Sequence, residues 1–454
     1  MVHGQAPMKS MIDTIFALSS GHGRSGVAVI RVSGPAVRFV LETMCGNIPI
    51  RRMARLCTIR DSGGEAIDRG LALFFEGPRS FTGEDMAELH VHGGKAVVQA
   101  LLGSLAGLVG LRPAEAGEFA RRAFENGKLD LTAVEGIADL IDSETEGQRR
   151  AALVQADGRL ARTYEALRSR VVELRGLAEA SVDFVDEGDV PASVTRQLVS
   201  GCEELAKELM SLKEGFQRGR LVRDGLVVVI AGKPNAGKSS LVNWLANRDI
   251  AIVSDEPGTT RDLLEARLDI AGVAVSVFDT AGLRDSAQSV EAEGIRRARE
   301  LMERADLVIE LVDSGSVQLL ETGTTEDNYG DKYETTRWRI GSKADLVTGK
   351  TYGLSAISTK TGTGTSELLK RLEAFAVERA GFTGEALMTH ERHREAVTMA
   401  LSGIERCSRH LESDEVELAA EELRMAGDAL GRLTGAIHTE DVLGQIFSSF
   451  CIGK

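Results

Sequence analysis

The sequence predicts a multidomain chain of α/β and α class: an N-terminal α/β domain, then a helical domain interrupted by an inserted P-loop domain with a mostly parallel sheet. Three observations predict it. A short Val- and Ile-rich run, Leu226 to Ala231, leads into Gly232-Lys233-Pro234-Asn235-Ala236-Gly237-Lys238-Ser239, and an amphipathic stretch with Leu241, Val242 and Leu245 follows. Stretches rich in Ala, Leu, Arg and Glu flank that unit on both sides, with apolar residues at helical spacing. Ahead of them, apolar runs punctuated by Gly and Pro read as strands and turns. At 454 residues the chain is also too long for one ordinary domain.

In chain order, residues 1–126 read as mixed α/β. Ile12 to Ala17, Val27 to Val32, Leu71 to Phe75 and Met86 to Val91 are the candidate strands, separated by Ser33-Gly34-Pro35, Gly77-Pro78 and Gly93-Gly94. His90 and His92 form an H-x-H without a third ligand, a pattern that is more often structural than metal-binding. Residues 127–223 are helical in texture, with Leu160, Tyr164, Leu167, Val171 and Leu174 on one stripe. Val182 to Glu187 is an acidic break closed by Pro191, read as an exposed loop between helices.

Residues 224–377 carry the nucleotide motifs. The spacing G-x-x-x-x-G-K-S/T lets the backbone curl so that several N–H groups face one anion, and the following helix adds the positive end of its dipole. Lys238 can reach the outer phosphates, the Ser239 hydroxyl can hold Mg²⁺, and Asn235, Ala236, Gly237 and Ser240 complete the cradle. Val273 to Phe278 is a second strand, ending in Asp279-Thr280-Ala281-Gly282, where a carboxylate can hold the Mg²⁺ shell and the Gly N–H can meet a γ-phosphate. Leu307 to Val312 is a third strand. Ser342-Lys343-Ala344-Asp345 then stands where a guanine-reading N-K-x-D would, with Ser in place of Asn, so that base preference rests mainly on Asp345. Ser358-Thr359-Lys360 closes the strand-like Tyr352 to Ile357 and is the choice for the loop behind the base; Ser355-Ala356 is a competing register. The polar stretch Ser314 to Arg339 reads as a surface excursion. The order of motifs predicts a GTPase that binds GTP and GDP. Residues 378–454 return to helical texture from about Glu385, with Leu418, Leu423, Met425, Ala429, Leu430 and Leu433 as the apolar stripe. The simplest account is one helical domain with the GTPase inserted into it.

Composition narrows the class. An apolar share of 43% fits a soluble globular chain with a sizeable core. No run approaches the roughly 20 apolar residues of a membrane span, and the N-terminus lacks a signal-peptide pattern. Cys45, Cys57, Cys202, Cys407 and Cys451 are scattered, which fits a reducing, cytoplasmic setting rather than a disulfide framework. The net charge of −14 does not by itself suggest a nucleic-acid partner. One would have to meet a local basic patch or be presented by another protein. The pairs Arg51-Arg52, Arg121-Arg122, Arg149-Arg150 and Arg296-Arg297 are expected to be solvated helix faces.

Taken together, the chain resembles the MnmE (TrmE) family of bacterial tRNA-modifying GTPases nearly end to end. The specific marks are Phe81-Thr82-Gly83-Glu84-Asp85, His92-Gly93-Gly94, Gly117-Glu118-Phe119, Ala123 to Leu131 (AFENGKLDL) and the ending Phe447-Ser448-Ser449-Phe450-Cys451-Ile452-Gly453-Lys454. The resemblance implies a folate-binding N-terminal domain that dimerises, and a Ras-like GTPase domain. It also implies a tetrahydrofolate one-carbon donor of 5-formyl or 5,10-methylene type, and an MnmG-type FAD protein as partner in a heterotetramer. The product would be a carboxymethylaminomethyl or aminomethyl group on carbon 5 of the wobble uridine of certain tRNAs. The folate contacts would fall on Arg31, Glu88 and Lys128, with Lys454 nearby. Cys451 reads either as a nucleophile or as a small apolar residue near the chain end.

For hydrolysis, Leu283 follows the D-x-x-G motif where many small GTPases place a water-orienting Gln. The family pattern assigns that role to Glu291; the alternative is that Glu291 is an exposed helix charge. No arginine finger is evident. The resemblance implies a K⁺ ion instead, where GTPase domains of two subunits meet, with Asn235 as side-chain ligand and Ser254, Glu256 and Thr259 lining the loop over it. Gly258-Thr259-Thr260 opens the switch segment, with Thr260 as a Mg²⁺ ligand. A reading from another class is a regulatory GTPase without covalent chemistry, for example in ribosome assembly.

Overall fold

A computed structural model describes residues 13–21, 23–183, 192–248, 250–252, 265–280, 300–314, 335–346, 356–437, 440–448, 450 and 452–453. The chain divides into two compact units, Met1–Ala138 with Ala161–Arg168 and Asp428–Lys454, and Asp139–Leu160 with Ser169–Gly427.

The first unit is built on a six-stranded sheet of β1 (Thr14–Leu18), β2 (Ser25–Ser33), β3 (Arg55–Arg60), β4 (Ala66–Phe75), β5 (Met86–Gly93) and β6 (Leu111–Pro113). The order is β3-β4-β5-β2-β1-β6, antiparallel throughout except for β1 beside β6. Alternation decides the faces. Ile30, Val32 and Leu89 point to one side and pack with Leu41 of the helix Val37–Cys45 and with Leu101 and Leu105 of the helix Lys95–Ala106. Arg31 and Glu88 stand opposite each other in the β2–β5 register, and their odd–even offset sends both to the other face. The edge strands β3 and β6 were not among the candidate strands. β3 buries only Ile59 fully, and β6 has three residues ending in Pro113, so neither shows an apolar run.

A second cluster in this unit joins the helix Glu118–Glu125, Leu131 and Val134 of the next helix, and Leu443, Ile446 and Phe447 near the chain end. Ile452 forms an antiparallel bridge with Ala116, and the Ser19 hydroxyl donates to the Gly453 carbonyl over 2.7 Å. Gly453 takes φ 100°, and a Cβ there would lie 2.1 Å from the Leu18 carbonyl oxygen. Only glycine passes that close to β1.

Among the described residues the second unit holds a sheet of β7 (Leu226–Gly232), β8 (Glu265–Ile270), β9 (Val273–Asp279), β10 (Leu307–Asp313) and β11 (Thr336–Ser342), in the order β11-β10-β7-β9-β8. Only the edge hairpin β8–β9 is antiparallel. The central β7 is covered on both faces, which explains its unbroken apolar sequence. Val228 and Ile230 pack with Leu241 of the helix Lys238–Ala246 and Leu372 of the helix Thr365–Ala380; Val229 packs with Val308 and Ala305. The excursion expected over Ser314 to Arg339 ends earlier than that, because β11 already begins at Thr336 and pairs in parallel with β10.

The rest of the second unit is mostly helical, and the helices Arg159–Asp183 and Val416–Thr434 contribute segments to both units. Leu160, Tyr164, Leu167, Val171 and Leu174 are all buried along the helix Arg159–Asp183, as their spacing predicts. The helices Ala192–Asp224 and Glu391–Glu412 bring Cys202 and Cys407 to 3.6 Å between sulfurs, so cysteines scattered in sequence meet in space as thiols. On the helix Val416–Thr434, Leu423, Ala429, Leu430 and Leu433 are buried, but Leu418 and Met425 are 49% and 41% exposed. These two fall off the helical stripe and leave it narrower than expected. Among the described residues no helix is long and apolar enough to cross a membrane.

Candidate nucleotide site and N-terminal cleft

The phosphate end of the site follows from strand, turn and helix in succession. At the end of β7, Gly232 takes φ 144°, and a Cβ would sit 2.4 Å from the Leu311 carbonyl oxygen on the adjacent β10. The chain can turn off the sheet there only without a side chain. Asn235 is exposed and left-handed, with φ 64°, and Gly237 is left-handed at the N-terminus of the helix Lys238–Ala246. This places successive N–H groups and the positive helix end around one point, a concavity built for an anion. Ala236 is buried and Ser240 exposed. Lys238 is only 6% exposed, and its ammonium donates to the Lys233 carbonyl over 3.1 Å.

Ser239 and Asp279 meet at that point. The Ser239 hydroxyl donates to Asp279 Oδ2 over 2.5 Å, and Asp279 is 1% exposed at the end of β9. One hydroxyl and one carboxylate beside an anion cradle are hard oxygen donors, the set that suits Mg²⁺ bound to a nucleoside polyphosphate. Thr280 is anchored rather than presented: its N–H and hydroxyl both donate to the Ile230 carbonyl.

The base end is built from the tips of β10 and β11. Ser342 is buried, and its hydroxyl donates to the Val312 carbonyl over 3.3 Å. A Cβ added at Gly237 would touch Ser342 Cβ at 4.0 Å, so Ser342 stands directly behind the phosphate loop. Lys343 pairs with Asp313 at 2.7 Å, and Ala344 N–H donates to the Ile357 carbonyl. Asp345 is exposed, and the Ser358 hydroxyl donates to it over 2.6 Å, which holds its carboxyl below the usual range. The loop Ser358 to Thr363 is pinned by Ser358 N–H to the Thr363 carbonyl, with Thr359 half-buried and Lys360 exposed. Ser358 thus lies against the Asp345 carboxylate; Ser355, of the competing register, lies outside the described residues.

In the first unit, the open face of the sheet carries a cleft of about 450 Å³ lined by Arg31, Glu88 and Lys128 together with Arg52, Arg79 and Phe81. Arg31 pairs with Glu88 at 3.0 Å and lies over the Phe81 ring at 5.3 Å from its centroid. Lys128 donates to the Pro78 carbonyl over 3.0 Å. Three residues far apart in sequence are therefore brought to one place. Arg52 and Arg79 are additions that sequence reasoning missed. Arg52 was expected on a solvated helix face, but residues 51–52 form a turn, where Arg51 pairs with Glu76 and Arg52 lines the cleft. Its basic-pair signal carried no information about location.

Arg122 also departs from the expected solvated face. It is 2% exposed and pairs with Asp13, Glu84 and Glu118 at 2.9 to 3.1 Å, while Arg112 takes Glu118 from the other side at 2.6 Å. Burial pushes the Glu118 carboxyl up, but hydrogen bonds from Arg112, the Glu115 N–H and Arg122 overcome it and hold it below the usual range. Arg149 and Arg150 do lie on an exposed face, both bound to Glu146. His90 bonds Glu88 and His92 bonds Asp68; among the described residues no group of three or more His, Cys, Asp or Glu is placed to hold a metal. Ser254, Glu256, Gly258, Thr259, Thr260, Ala281, Gly282, Glu291, Cys451 and Lys454 lie outside the described residues, as do Arg296-Arg297 and most of the acidic break after Val182.

A mostly parallel sheet, a phosphate loop closed by Ser239 and Asp279, and a carboxylate backed by Ser358 at the base end define a P-loop GTPase. Comparison with known proteins extends this to the whole chain. The family model described as the MnmE helical domain matches residues 131–451, and that of the GTP-binding protein TrmE N-terminus matches residues 14–128. The chain is 52% identical over 447 residues to the tRNA modification GTPase MnmE of Brucella melitensis biotype 1, covering 97% of this chain and 98% of that one. It is 50% identical over 449 residues to that of Brucella anthropi, covering 98% and 99%. This chain belongs to the MnmE family. Among solved structures, Era of Aquifex aeolicus bound to GDP and AlF₄⁻ is similar over 39% of this chain and 66% of that one, at 20% identity and TM-score 0.26. The G domain of the T. maritima FeoB iron transporter is similar over 33% and 98%, at 22% identity and TM-score 0.23.

Proposed function

We propose that this GTPase modifies tRNA: with an MnmG-type FAD protein it adds a carboxymethylaminomethyl or aminomethyl group to carbon 5 of the wobble uridine, using a tetrahydrofolate one-carbon donor. The observation that carries the proposal is the presence, in one chain of this family, of a nucleotide site closed by Ser239 and Asp279 and a separate cleft that gathers Arg31, Glu88 and Lys128. The cleft's donor set fits a folate. Glu88 can accept from the N–H groups of a pterin edge, Phe81 offers a ring face, and Lys128 suits a carboxylate tail. Cys451 and Lys454 would take part in that chemistry; the bond from the Ser19 hydroxyl to the Gly453 carbonyl supports a chain end held in this unit.

In the nucleotide site, Lys238 would neutralise the outer phosphates, and Ser239, Asp279 and Thr260 would hold Mg²⁺ directly or through water. Asp345 would read the guanine. Glu291 would orient the attacking water, and K⁺ bound by Asn235, Ser254, Glu256 and Thr259 would supply positive charge when two GTPase domains meet, worth roughly 10³–10⁵ in rate if it replaces an arginine finger. A homodimer through residues 1–126 is supported by the open sheet face, where Val27, Leu56 and Leu71 are exposed. Residues 127–223 and 378–454 would form the helical domain around the GTPase of residues 224–377, in the cytoplasm.

The test is nucleoside mass spectrometry of tRNA from cells depleted of this protein and rescued with wild type or Lys238→Ala. Loss of the wobble-uridine derivatives, restored by wild type alone, is the expected result. Unchanged nucleosides after depletion would overturn the proposal.

A further inference from the structure

Beside Lys128, already given to the folate's carboxylate tail, the N-terminal cleft holds two further cations, Arg52 and Arg79. Arg52, Arg79 and Lys128 all line it, and none of the three has an acidic partner among the described residues. Their polar contacts are to carbonyls: Arg52 donates to the Arg79 carbonyl, and Lys128 to that of Pro78. The one carboxylate in the lining, Glu88, is already engaged by Arg31 at 3.0 Å and His90 at 3.3 Å. Nearby arginines outside the cleft do find carboxylates. Arg51 pairs with Glu76, and Arg38 with Glu76 and Asp85. In a chain of net charge −14, three cations without carboxylate partners around one small cleft are a local reversal. Arg52 also holds a left-handed backbone, φ 60°, with its N–H donating to the Phe74 carbonyl over 2.8 Å. Positive φ is uncommon for a non-glycine residue, and here it belongs to the turn of residues 51–52 that brings Arg52 to the cleft.

We infer that Arg52, Arg79 and Lys128 make this cleft selective for an oligocarboxylate, so that the folate it takes carries a chain of several glutamates rather than one. The inference rests on the folate reading of the same cleft. A monoglutamyl folate brings two carboxylates, and each further γ-linked glutamate adds one. Three guanidinium or ammonium groups can therefore meet more charge than the short form supplies. Guanidinium groups bind carboxylates in bidentate geometry, and half-exposed contacts of this kind add modestly but cumulatively. At about 450 Å³ the cleft is sized for a small ligand, not for a nucleic-acid helix.

The test is isothermal titration calorimetry on the full chain with 5-formyltetrahydrofolate carrying one or three glutamates, at low and high salt. Wild type should bind the triglutamyl form about tenfold more tightly, with the ratio shrinking as salt rises. In Arg79→Ala and Arg52→Ala the ratio should fall to near one while the monoglutamyl form binds within about threefold of wild type. Arg52→Lys, which keeps the charge, should retain part of the preference. Equal affinity of wild type for both forms, or an undiminished ratio in both alanine variants, overturns the inference and leaves the folate reading standing. Absence of binding by either form overturns both. If the alanine variants lose affinity for tRNA and keep the glutamate preference, the cations serve phosphates instead and the inference is wrong.

Discussion

The Ser239 hydroxyl and the Asp279 carboxylate lie 2.5 Å apart, joining the helix that follows β7 to the end of β9. Parallel pairing of β7 with β9, with Ile230 beside Asp279, sets that distance. Replacing Asp279 by Asn keeps the shape but removes the charge that would hold a divalent cation. GTP turnover should fall on the order of 100-fold. Binding of GDP in the presence of a chelator should stay close to wild type, since the loop's N–H groups remain. Stopped-flow GTP hydrolysis and fluorescent GDP titration check the two arms; equal losses in both would mean that Asp279 supports the loop rather than the cation.

Asp345 should decide the base. As a carboxylate it would accept from both N–H donors on a guanine edge, and the Ser358 bond favours its ionised form. Asp345→Asn presents one acceptor and one donor, the pattern matching xanthine. The variant should bind xanthosine diphosphate more tightly than GDP, reversing the wild-type order, as measured by competition. Wild-type preference in the variant would move base recognition elsewhere.

Ser342 donates to Val312 and faces the phosphate loop. Ser342→Asn extends an amide toward that loop and should tighten GDP about threefold to tenfold, the worth of one added hydrogen bond. Unchanged affinity would show that the shorter residue is compensated elsewhere.

Acid should destabilise the first unit through Asp13 and Glu118, both held below their ordinary values. For Asp13, as for Glu118, burial alone would raise the carboxyl, and the bonds and charges of Arg112 and Arg122 outweigh it. Their folded pKa values are lower than the unfolded ones, so the unfolded chain binds more protons in between. The stabilisation is present above about pH 4.5, the unfolded range, and is lost as pH falls through the folded values. Thermal melts from pH 6 to pH 3 should show a shallower decline in Glu118→Gln than in wild type. Arg122→Ala should cost about 3 kcal/mol at neutral pH, because Glu84 loses its arginine and the buried Glu118 is left with Arg112 alone.

Gly453→Ala tests the docked chain end. A Cβ there would strike the Leu18 carbonyl at 2.1 Å and break the Ser19 bond. The variant should lose most tRNA modification in the nucleoside assay while its GTP turnover stays within about twofold of wild type, a change near 0.4 kcal/mol. A parallel loss of GTPase activity would show that the mutation disrupts more than the tail.

Much of the nucleotide site was legible in the sequence because its parts are local. Gly232 to Ser239 is one strand–turn–helix, and its spacing alone states which backbone groups face an anion. The long apolar stripe from Leu160 to Leu174 was legible for the same reason: the helical period is written in neighbouring residues. The short edge strands β3 and β6 escaped, since an edge strand with one buried face and few residues has no apolar run to read. Leu418 and Met425 were misplaced because composition marked them apolar while the helix turned them outward.

By itself the sequence determined the P-loop, the order of nucleotide motifs and the family, since these reside in residue identity and short spacing. Only the tertiary structure decided which charges meet. It buried Arg122 among Asp13, Glu84 and Glu118, and turned Arg52 into a cleft beside Arg31 and Lys128. It also brought Cys202 to Cys407 across 205 residues and seated Gly453 on β1. A charged or thiol side chain acquires its meaning from partners that sheet register and helix packing supply, and no local pattern records contacts between residues that distant.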